Sequence, residues 1–487
     1  MSRIDTSIVP ERPMTMTRID TDICVIGAGS GGLSVAAGAV QMGADVVLLE
    51  GHKMGGDCLN FGCVPSKALL AAGHKAYETS AAAFGVAGHD PAPDFGAAKD
   101  HVQSVIAAIE PHDSQERFEG LGVRVIREFG QFISDNEVQA GDHIIKARRF
   151  VIATGSRPFV PPIPGLADTP HHTNETIFDL RDKPDHLIII GGGPIGLEMA
   201  QAHRRLGCAV TVLEGAKALG NDDPDAAAVV LENLRAEGIE IVEGAKASAI
   251  SGTDGSVQIE TEGGAVYEGS HLLIAVGRQV NVDKLDLEKA GVDYTRQGVT
   301  VDAGLRSTNK RVYAVGDAAG GAQFTHVAGY HAGVIIRPML FGLPAKARTD
   351  HIPWATYTDP ELAQVGLTEA QAKAAHGDKV FVARAEFGGN DRGLATGQTK
   401  GFVKVMVVKG RPVGATMVGP QAGELIQIWS LAIANKLKMS AVAGMIAPYP
   451  TLGEINKRAA SAYFTPKLFD SPMVKKVVGI VQKFGRP

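Results

Sequence analysis

The chain of 487 residues is sparing with cysteine, with charge of one sign and with long apolar runs. Four cysteines in a reducing compartment do not build a structural disulfide framework, so any close cysteine pair points instead toward redox or metal chemistry. No block of Lys or Arg occurs and the formal net charge is only -5, which excludes the field that grips a phosphate backbone and with it nucleic acid as a partner. No run of about 18 apolar residues is present, so no transmembrane segment is expected. The first twenty residues also lack the apolar core of a signal peptide, and a cytoplasmic location is the expectation. That opening stretch, MSRIDTSIVPERPMTMTRID, is polar and contains proline and two further methionines, Met14 and Met16. It reads as an N-terminal tail over 1–20 with no assigned function.

What is present is a soluble globular composition, with 45% hydrophobic and 21% charged residues. The length suggests roughly three domains of ~100 to 200 residues. The segment DTDICVIGAGSGGLSVAAGAVQMGADVVLLEG reads as strand, glycine turn, small-residue helix and second strand. Gly27, Gly29 and Gly32 fit G-x-G-x-x-G, a turn that lets backbone N–H groups at a helix start approach a pyrophosphate. Glu50 follows 23 residues after Gly27, where a carboxylate can accept both hydroxyls of a ribose. The pattern recurs in HLIIIGGGPIGLEMAQAHRRLGCAVTVLEGA, with Gly191, Gly193, Gly196 and Glu214 at the same spacing. One such fingerprint is weak, but two with matching strands and acids are strong.

RRFVIATGSRP closes the first unit and SHLLIAVGRQV the second, so the chain carries an internal duplication. The Pro-rich stretch SRPFVPPIPG, residues 156–165, marks a boundary. RVYAVGDAAGG, residues 311–321, is an apolar strand too late for the second module and is expected to return to the first. From about His351 the texture changes: GFVKVMVVKGRPVGATMVG predicts a hairpin. GELIQIWSLAIANKL predicts a helix apolar on most faces, buried on both sides or in a subunit contact. The last stretch, VKKVVGIVQKFGRP, is basic and amphipathic. It reads as a terminal helix docked on its own domain, with attachment to a membrane surface as the alternative.

The segment GGDCLNFGCVPSKALL, residues 55–70, holds two of the four cysteines five positions apart. Cys58 and Cys63 lie on the loop opening the helix VPSKALLAA. The unpaired N–H groups of a helix start favour a thiolate, so one of the pair should have a lowered pKa and act as a nucleophile. Metal ligation would need more ligands, and Cys24 and Cys208 fall inside the βαβ units as small buried apolar residues. No metal site is expected.

At this point the chain resembles the class I pyridine nucleotide-disulfide oxidoreductases, the flavoprotein family of dihydrolipoamide dehydrogenase, glutathione reductase and mercuric reductase. The likeness runs over nearly the whole chain from about Asp22. It rests on both fingerprints, the cysteine segment, ATGSRP, AVGR and YAVGDAA. The resemblance implies an α/β fold with two Rossmann-like dinucleotide-binding domains, for FAD and for NAD(P), and a C-terminal α+β dimerisation domain. The corresponding boundaries are 21–160 and 286–350 for FAD, 161–285 for NAD(P) and 351–487 for dimerisation. FAD would be held by Gly27, Gly29, Ser30, Gly31, Gly32, Glu50, Gly56, Lys67, Gly130, Thr154, Gly155, Ser156, Asp317 and His326. The nicotinamide dinucleotide would be held by Gly191, Gly193, Ile195, Gly196, Glu214 and Gly277. Cys63 would be the flavin-side sulfur, in charge-transfer contact with oxidised flavin, and Cys58 the interchange sulfur facing the acceptor. Lys67, one helical turn after Cys63, would pair near the flavin with Glu198, the alternative being a solvated surface lysine. Glu214 can bond a free 2′-hydroxyl but repels a 2′-phosphate, and only Lys217 follows it, so NADH is expected to be preferred over NADPH.

The chain departs from this family at APYPTLGEINKR. Tyr449 stands where the family has the catalytic His, followed by Pro450 and Thr451, while Glu454 is retained. A His with pKa about 6.5 can take and return a proton near neutrality, whereas a Tyr near 10 cannot serve as base. Loss of a positioned base costs ~10² to 10⁴ in rate, which disfavours alkyl disulfides such as lipoamide or glutathione. Tyr449 can still donate a hydrogen bond, to a thiolate, a substrate oxygen or Glu454, or it merely fills the space. His326 and His331 are the candidates for a relocated base. No cysteine follows Cys208, so the second cysteine pair of mercuric reductases is missing, and QKFGRP supplies no redox tail. The expectation is a homodimeric FAD-dependent NAD(P)H oxidoreductase, with Tyr449 and Glu454 completing the site across the subunit interface. Electrons would pass through Cys58 and Cys63 to a disulfide, a thiol-bound metal ion or a similar small-molecule or small-protein acceptor. The alternatives are a flavin-direct quinone or oxygen reductase, a dihydrolipoamide dehydrogenase-like enzyme with a relocated base, or a flavoprotein subunit whose activity has decayed.

Overall fold

The apolar run over residues 23–26 pairs on both sides. In the computed structural model, which describes residues 16–484, it lies between two parallel neighbours, with Ile23 opposite Val46 on one side and Arg149 on the other. Strands covered on both faces need this composition. The sheet runs in the order Arg124–Ile126, Val46–Leu49, Thr17–Ile26, His143–Ile152. Beyond it the long strand His143–Ile152 divides its edge. Its first half pairs antiparallel with Glu137–Ala140, followed outward by Gly130–Phe132, and its last residues pair in parallel with Val312–Ala314. The strand of YAVGDAA therefore does return to the first sheet. The expected tail is shorter than read: residues 1–15 lie outside the described residues, but Thr17–Asp20 already belong to the first strand, with Thr17 paired to His143. Alternation of apolar and polar positions there follows the sheet period, which a reading by composition overlooks.

The chain divides into two compact units. The first comprises the residues up to Asn60, Ile109–Arg157 and Gln279–Ala347; the second comprises Phe61–Ala108, Pro158–Arg278 and the chain from Arg348. One cut passes between Arg157 and Pro158, inside the Pro-rich stretch.

The second unit has its own parallel sheet, ordered Glu240–Glu243, Ala209–Glu214, His186–Ile190, His271–Ile274. It also holds a five-stranded antiparallel sheet in which Phe402–Val408 and Arg411–Gly419 form the expected hairpin. The helix read from GELIQIWSLAIANKL is two pieces, Ala422–Leu425 and Gln427–Ala434, broken at Ile426. Trp429 is buried and its indole N–H donates to Asn456 Oδ1 at 2.7 Å, while Leu431 is 61% exposed. Within the described chain the helix thus buries one face rather than both. The C-terminal helix Pro472–Phe484 buries no residue at all, which corrects the reading of a helix docked on its own domain. Among the described residues no helix is long and apolar enough to cross a membrane.

The same unit buries a lysine. Lys99, on the helix Phe95–Asp113, is 1% exposed; its ammonium donates to Ile177 O at 2.8 Å and lies by the rings of Phe95 and Phe178. Nearby His203 donates from Nδ1 to Met199 O at 2.8 Å and is held neutral by burial, its pKa down at about 3. Burial likewise lowers Lys99 to about 8 from an ordinary 10.5. Between those values the unfolded chain binds the proton that the folded chain has shed, so folding stability gains from rising pH. The difference in unfolding free energy between wild type and Lys99→Met, followed by urea titration from pH 7.5 to 10.5, should change in favour of wild type by about 3 kcal/mol. A pH-independent difference would refute the assignment.

Candidate active site

Both fingerprint turns rest on one close approach. A Cβ on Gly32 would lie 1.8 Å from the carbonyl oxygen of Gly27, and one on Gly196 would lie 2.0 Å from that of Gly191. Any side chain there forces the helix off the strand, so the third glycine of each motif is a packing requirement. The helices Ser30–Gln41 and Pro194–Arg205 then begin at Gly29 and Gly193, and neither N-cap carries a side-chain hydrogen bond to the helix start. A Cβ on Gly193 would touch nothing within 4 Å. That glycine answers no need of the chain's own packing, and it leaves bare backbone N–H groups open to an anion.

The two acids repeat each other bond for bond. Glu50 accepts the Ala28 N–H at 2.7 Å through Oε2 and the His52 N–H at 2.8 Å through Oε1. Glu214 accepts the Gly192 N–H through Oε2 and the Ala216 N–H through Oε1, both at 2.8 Å. Each carboxylate is thereby fixed at a strand end and keeps lone pairs for a ribose diol. A glycine turn with open N–H groups and an anchored acid fits a dinucleotide at both positions. Around Glu214, Lys217 is exposed. A second cation unseen in the sequence, Lys246, packs beside Gly215 and pairs with Glu262 at 2.5 Å.

Apart from Lys67, which belongs to the second unit, the remaining residues expected around the first turn fall in the first unit. Ser30 opens the helix, Gly31 packs on Val315, and Gly29 forms an isolated bridge with Gly55, beside Gly56. Gly130 is buried in its strand. Thr154 and Gly155 are strapped to Asn281: the Thr154 hydroxyl donates to Asn281 O at 2.6 Å, the Asn281 amide donates to Thr154 O at 3.0 Å, and the Asn281 N–H donates to Gly155 O. Ser156 donates to Asp317 Oδ2 at 2.5 Å. His331 is buried, and its Nδ1 accepts the Gly316 N–H at 3.2 Å, bracing the turn that bears Asp317. Burial lowers its pKa, and with Nδ1 taken up by that N–H the ring serves as a support of the turn. His326, exposed in the first turn of Thr325–Phe341, stacks on Phe324. In the second unit Ile195 is exposed near the helix start and Gly277 has φ +135°.

Cys58 lies half-buried in the short helix Gly56–Asn60, while Cys63 is the exposed first residue of Cys63–Ser80. The N-cap of that helix, Gly62, offers no side-chain bond to its free N–H groups. Of the pair it is therefore Cys63 whose thiolate the helix start favours. The helix packs against Pro194–Arg205, so closely that a Cβ on Gly73 would lie 3.1 Å from Ala202 O. This contact delivers Lys67 to Glu198: Nζ meets Oε2 at 2.7 Å, and the carboxylate is only 6% exposed. Lys67 is thus no solvated surface lysine. The Tyr357 N–H donates to Glu198 Oε1 at 2.9 Å, and the Lys67 ammonium sits 4.4 Å from the centroid of the Tyr357 ring. Burial raises the Tyr357 pKa, and the charges of Glu361, Glu198 and the Cys63 sulfur add to it. Sequence reasoning missed Tyr357, which carries no motif of its own.

Tyr449 is 71% exposed, and its hydroxyl donates to Asp391 Oδ2 at 3.0 Å rather than to Glu454. Asp391 is held in turn by Arg458 at 3.2 Å. The hydrogen bond to Asp391 raises the phenol's pKa above its ordinary value, taking Tyr449 further from use as a base. Glu454 opens the helix Glu454–Ala462, and its Oε2 is buried with no hydrogen-bond partner among the described residues.

The model of the pyridine nucleotide-disulphide oxidoreductase family matches residues 21–332, and that of the family's dimerisation domain matches residues 352–460. The chain is 34% identical over 454 residues to a mercuric reductase of Acidithiobacillus ferrooxidans, covering 91% of this chain and 82% of that one. It is 33% identical over 456 residues to a dihydrolipoyl dehydrogenase of Geobacillus stearothermophilus, covering 91% and 96%. Among solved structures it resembles the Cu(II) complex of the HOCl-induced flavoprotein disulfide reductase RclA from Escherichia coli, with 29% identity, TM-score 0.80 and coverage of 89% and 98%. It also resembles LpdA from Mycobacterium tuberculosis, with 26% identity, TM-score 0.83 and coverage of 92% and 99%.

Cys24 and Cys208 are fully buried; burial pushes the Cys24 thiol far up and Cys208 up to about 11. In native protein reduced with dithiothreitol, iodoacetamide should therefore label Cys58 and Cys63 at least about a hundred times faster than the other two. Mass spectrometry of the peptides reads this directly, and comparable labelling of Cys24 would refute the burial argument.

Proposed function

From a chain that belongs to the pyridine nucleotide-disulphide oxidoreductase family, and is an FAD-dependent NAD(P)H oxidoreductase with that family's dimerisation domain, we infer a route and a preference. Electrons enter from NADH and leave through Cys58 and Cys63 to a disulfide or a thiol-bound metal ion. The observation that carries this reading is Cys63 at the first position of an uncapped 18-residue helix, one turn from a lysine locked on Glu198.

Bound FAD and nicotinamide dinucleotide would supply the two-electron transfer to the cysteine pair. With two electrons and one proton the Cys58–Cys63 bond opens to a Cys58 thiol and a Cys63 thiolate, the latter stabilised by the helix start. The Cys58 sulfur, its proton passing to solvent, attacks one sulfur of the acceptor and expels the other as thiolate. The Cys63 thiolate then attacks Cys58, restoring the pair and releasing the second thiolate. Tyr449, whose proton is committed to Asp391, offers no base near neutral pH. Acceptors whose thiolates leave without protonation are therefore favoured, as is a metal ion, which takes electrons alone. Relatives named mercuric reductase and a neighbour solved with Cu(II) support including metal ions, although this chain has no cysteine after Cys208. The dimerisation domain supports a homodimer, with Tyr449 and Glu454 completing the site across its interface. A cytoplasmic setting suits a pair that must cycle through the reduced state.

The preference for NADH rests on Glu214, anchored by two N–H groups where a 2′-phosphate would meet its charge. Glu214→Ala should lower the ratio of kcat/KM for NADH over NADPH by about 10- to 100-fold, the worth of a hydrogen bond to a charged group. An unchanged ratio would move the specificity elsewhere. Cys58→Ser should abolish reduction of an aromatic disulfide while NADH still bleaches the flavin. Wild-type disulfide turnover in that variant would sink the proposed route and leave direct reduction of the acceptor by the flavin.

A further inference from the structure

The C-terminal helix Pro472–Phe484 has the sequence PMVKKVVGIVQKF and buries none of its residues. At 100° per residue, Met473, Val477, Val478, Ile480, Val481 and Phe484 fall on one side, and they are between 46 and 87% exposed. Lys475, Lys476, Gln482 and Lys483 fall on the other. A Cβ on Gly479, which lies among the lysines, would meet nothing within 4 Å. The helix contains no acidic residue. Such an apolar face stays in water only at a cost, so it requires an occupant.

The charge pattern selects among the candidates. The helix's own unit does not cover the face. A second copy is disfavoured, because the helix lies beyond residues 352–460, which match the dimerisation domain. Thirteen residues with three lysines cannot span a bilayer. A helix with apolar residues on one face and only positive charge on the other fits the plane of an anionic membrane surface, its lysines reaching the headgroups.

We propose that this helix is a lipid-binding element that docks the protein on anionic membrane surfaces. The inference does not depend on the identity of the electron acceptor. It is tested with the full-length holoprotein by co-sedimentation with vesicles of phosphatidylcholine alone and of phosphatidylcholine mixed with phosphatidylglycerol. Partition onto the anionic vesicles is expected, weakening as salt is added. Replacing Lys475, Lys476 and Lys483 together by Gln should reduce it about 100-fold, at about fivefold per lysine. Val477→Asp combined with Val481→Asp should abolish it. Both variants alter exposed side chains, and retained flavin absorbance shows that they are folded. Equal binding to neutral vesicles by wild type and the lysine variant would overturn the electrostatic half of the proposal. Absence of binding to either vesicle would overturn it entirely, as would a change of oligomeric state in the aspartate variant without any vesicle binding, which would make a second copy the occupant.

Discussion

The carboxylate of Glu198 is withdrawn from water, and a buried charge persists only where it is paired and hydrogen-bonded. Lys67 and the Tyr357 N–H meet that demand from two distant parts of the chain, at 2.7 and 2.9 Å. One ion therefore ties together the helix that Cys63 opens, the helix that follows the second glycine turn, and the edge of the antiparallel sheet. Removing Lys67 strips the buried carboxylate of its ion pair, and removing Glu198 takes the acceptor from the Tyr357 N–H. The position of the cysteine helix is thus fixed by electrostatics as well as by the close approach at Gly73.

The duplication shows how much of a binding module is backbone geometry. Neither Glu50 nor Glu214 shares neighbours with the other, yet each accepts the N–H one residue past the first glycine and the N–H two residues past itself. The same strand–turn–helix path puts the same donors within reach. What distinguishes the two sites lies outside this frame: Asn281, Ser156, Asp317 and His331 brace the first, while Lys217 and Lys246 flank the second.

The legible parts of the sequence were those whose function is set by local spacing. Glycines that permit close approach, an acid at a strand end, and a cysteine at a helix start are all decided within about thirty residues. The pairing of Lys67 with Glu198 became legible only through family likeness, because 131 positions separate the two. Tyr357 and Asp391 stayed hidden for the same reason: each acts on a residue far along the chain and bears no motif. The break at Ile426 has no signal in the local sequence, and the bond by which Trp429 anchors the second piece reaches Asn456, 27 positions along the chain. The C-terminal helix was misread in its surroundings and not in its pattern. An amphipathic period says that a face will be covered, but not by what.

The claim on which this account stands is that the cysteine pair lies in the path of the electrons. The most direct measurement is an anaerobic addition of one equivalent of NADH per chain to oxidised holoprotein. Flavin absorbance is then recorded, and cysteines are alkylated under acid quench and weighed. The account predicts flavin left oxidised, with Cys58 and Cys63 both newly alkylated. Bleached flavin with the pair still disulfide-bonded would contradict it.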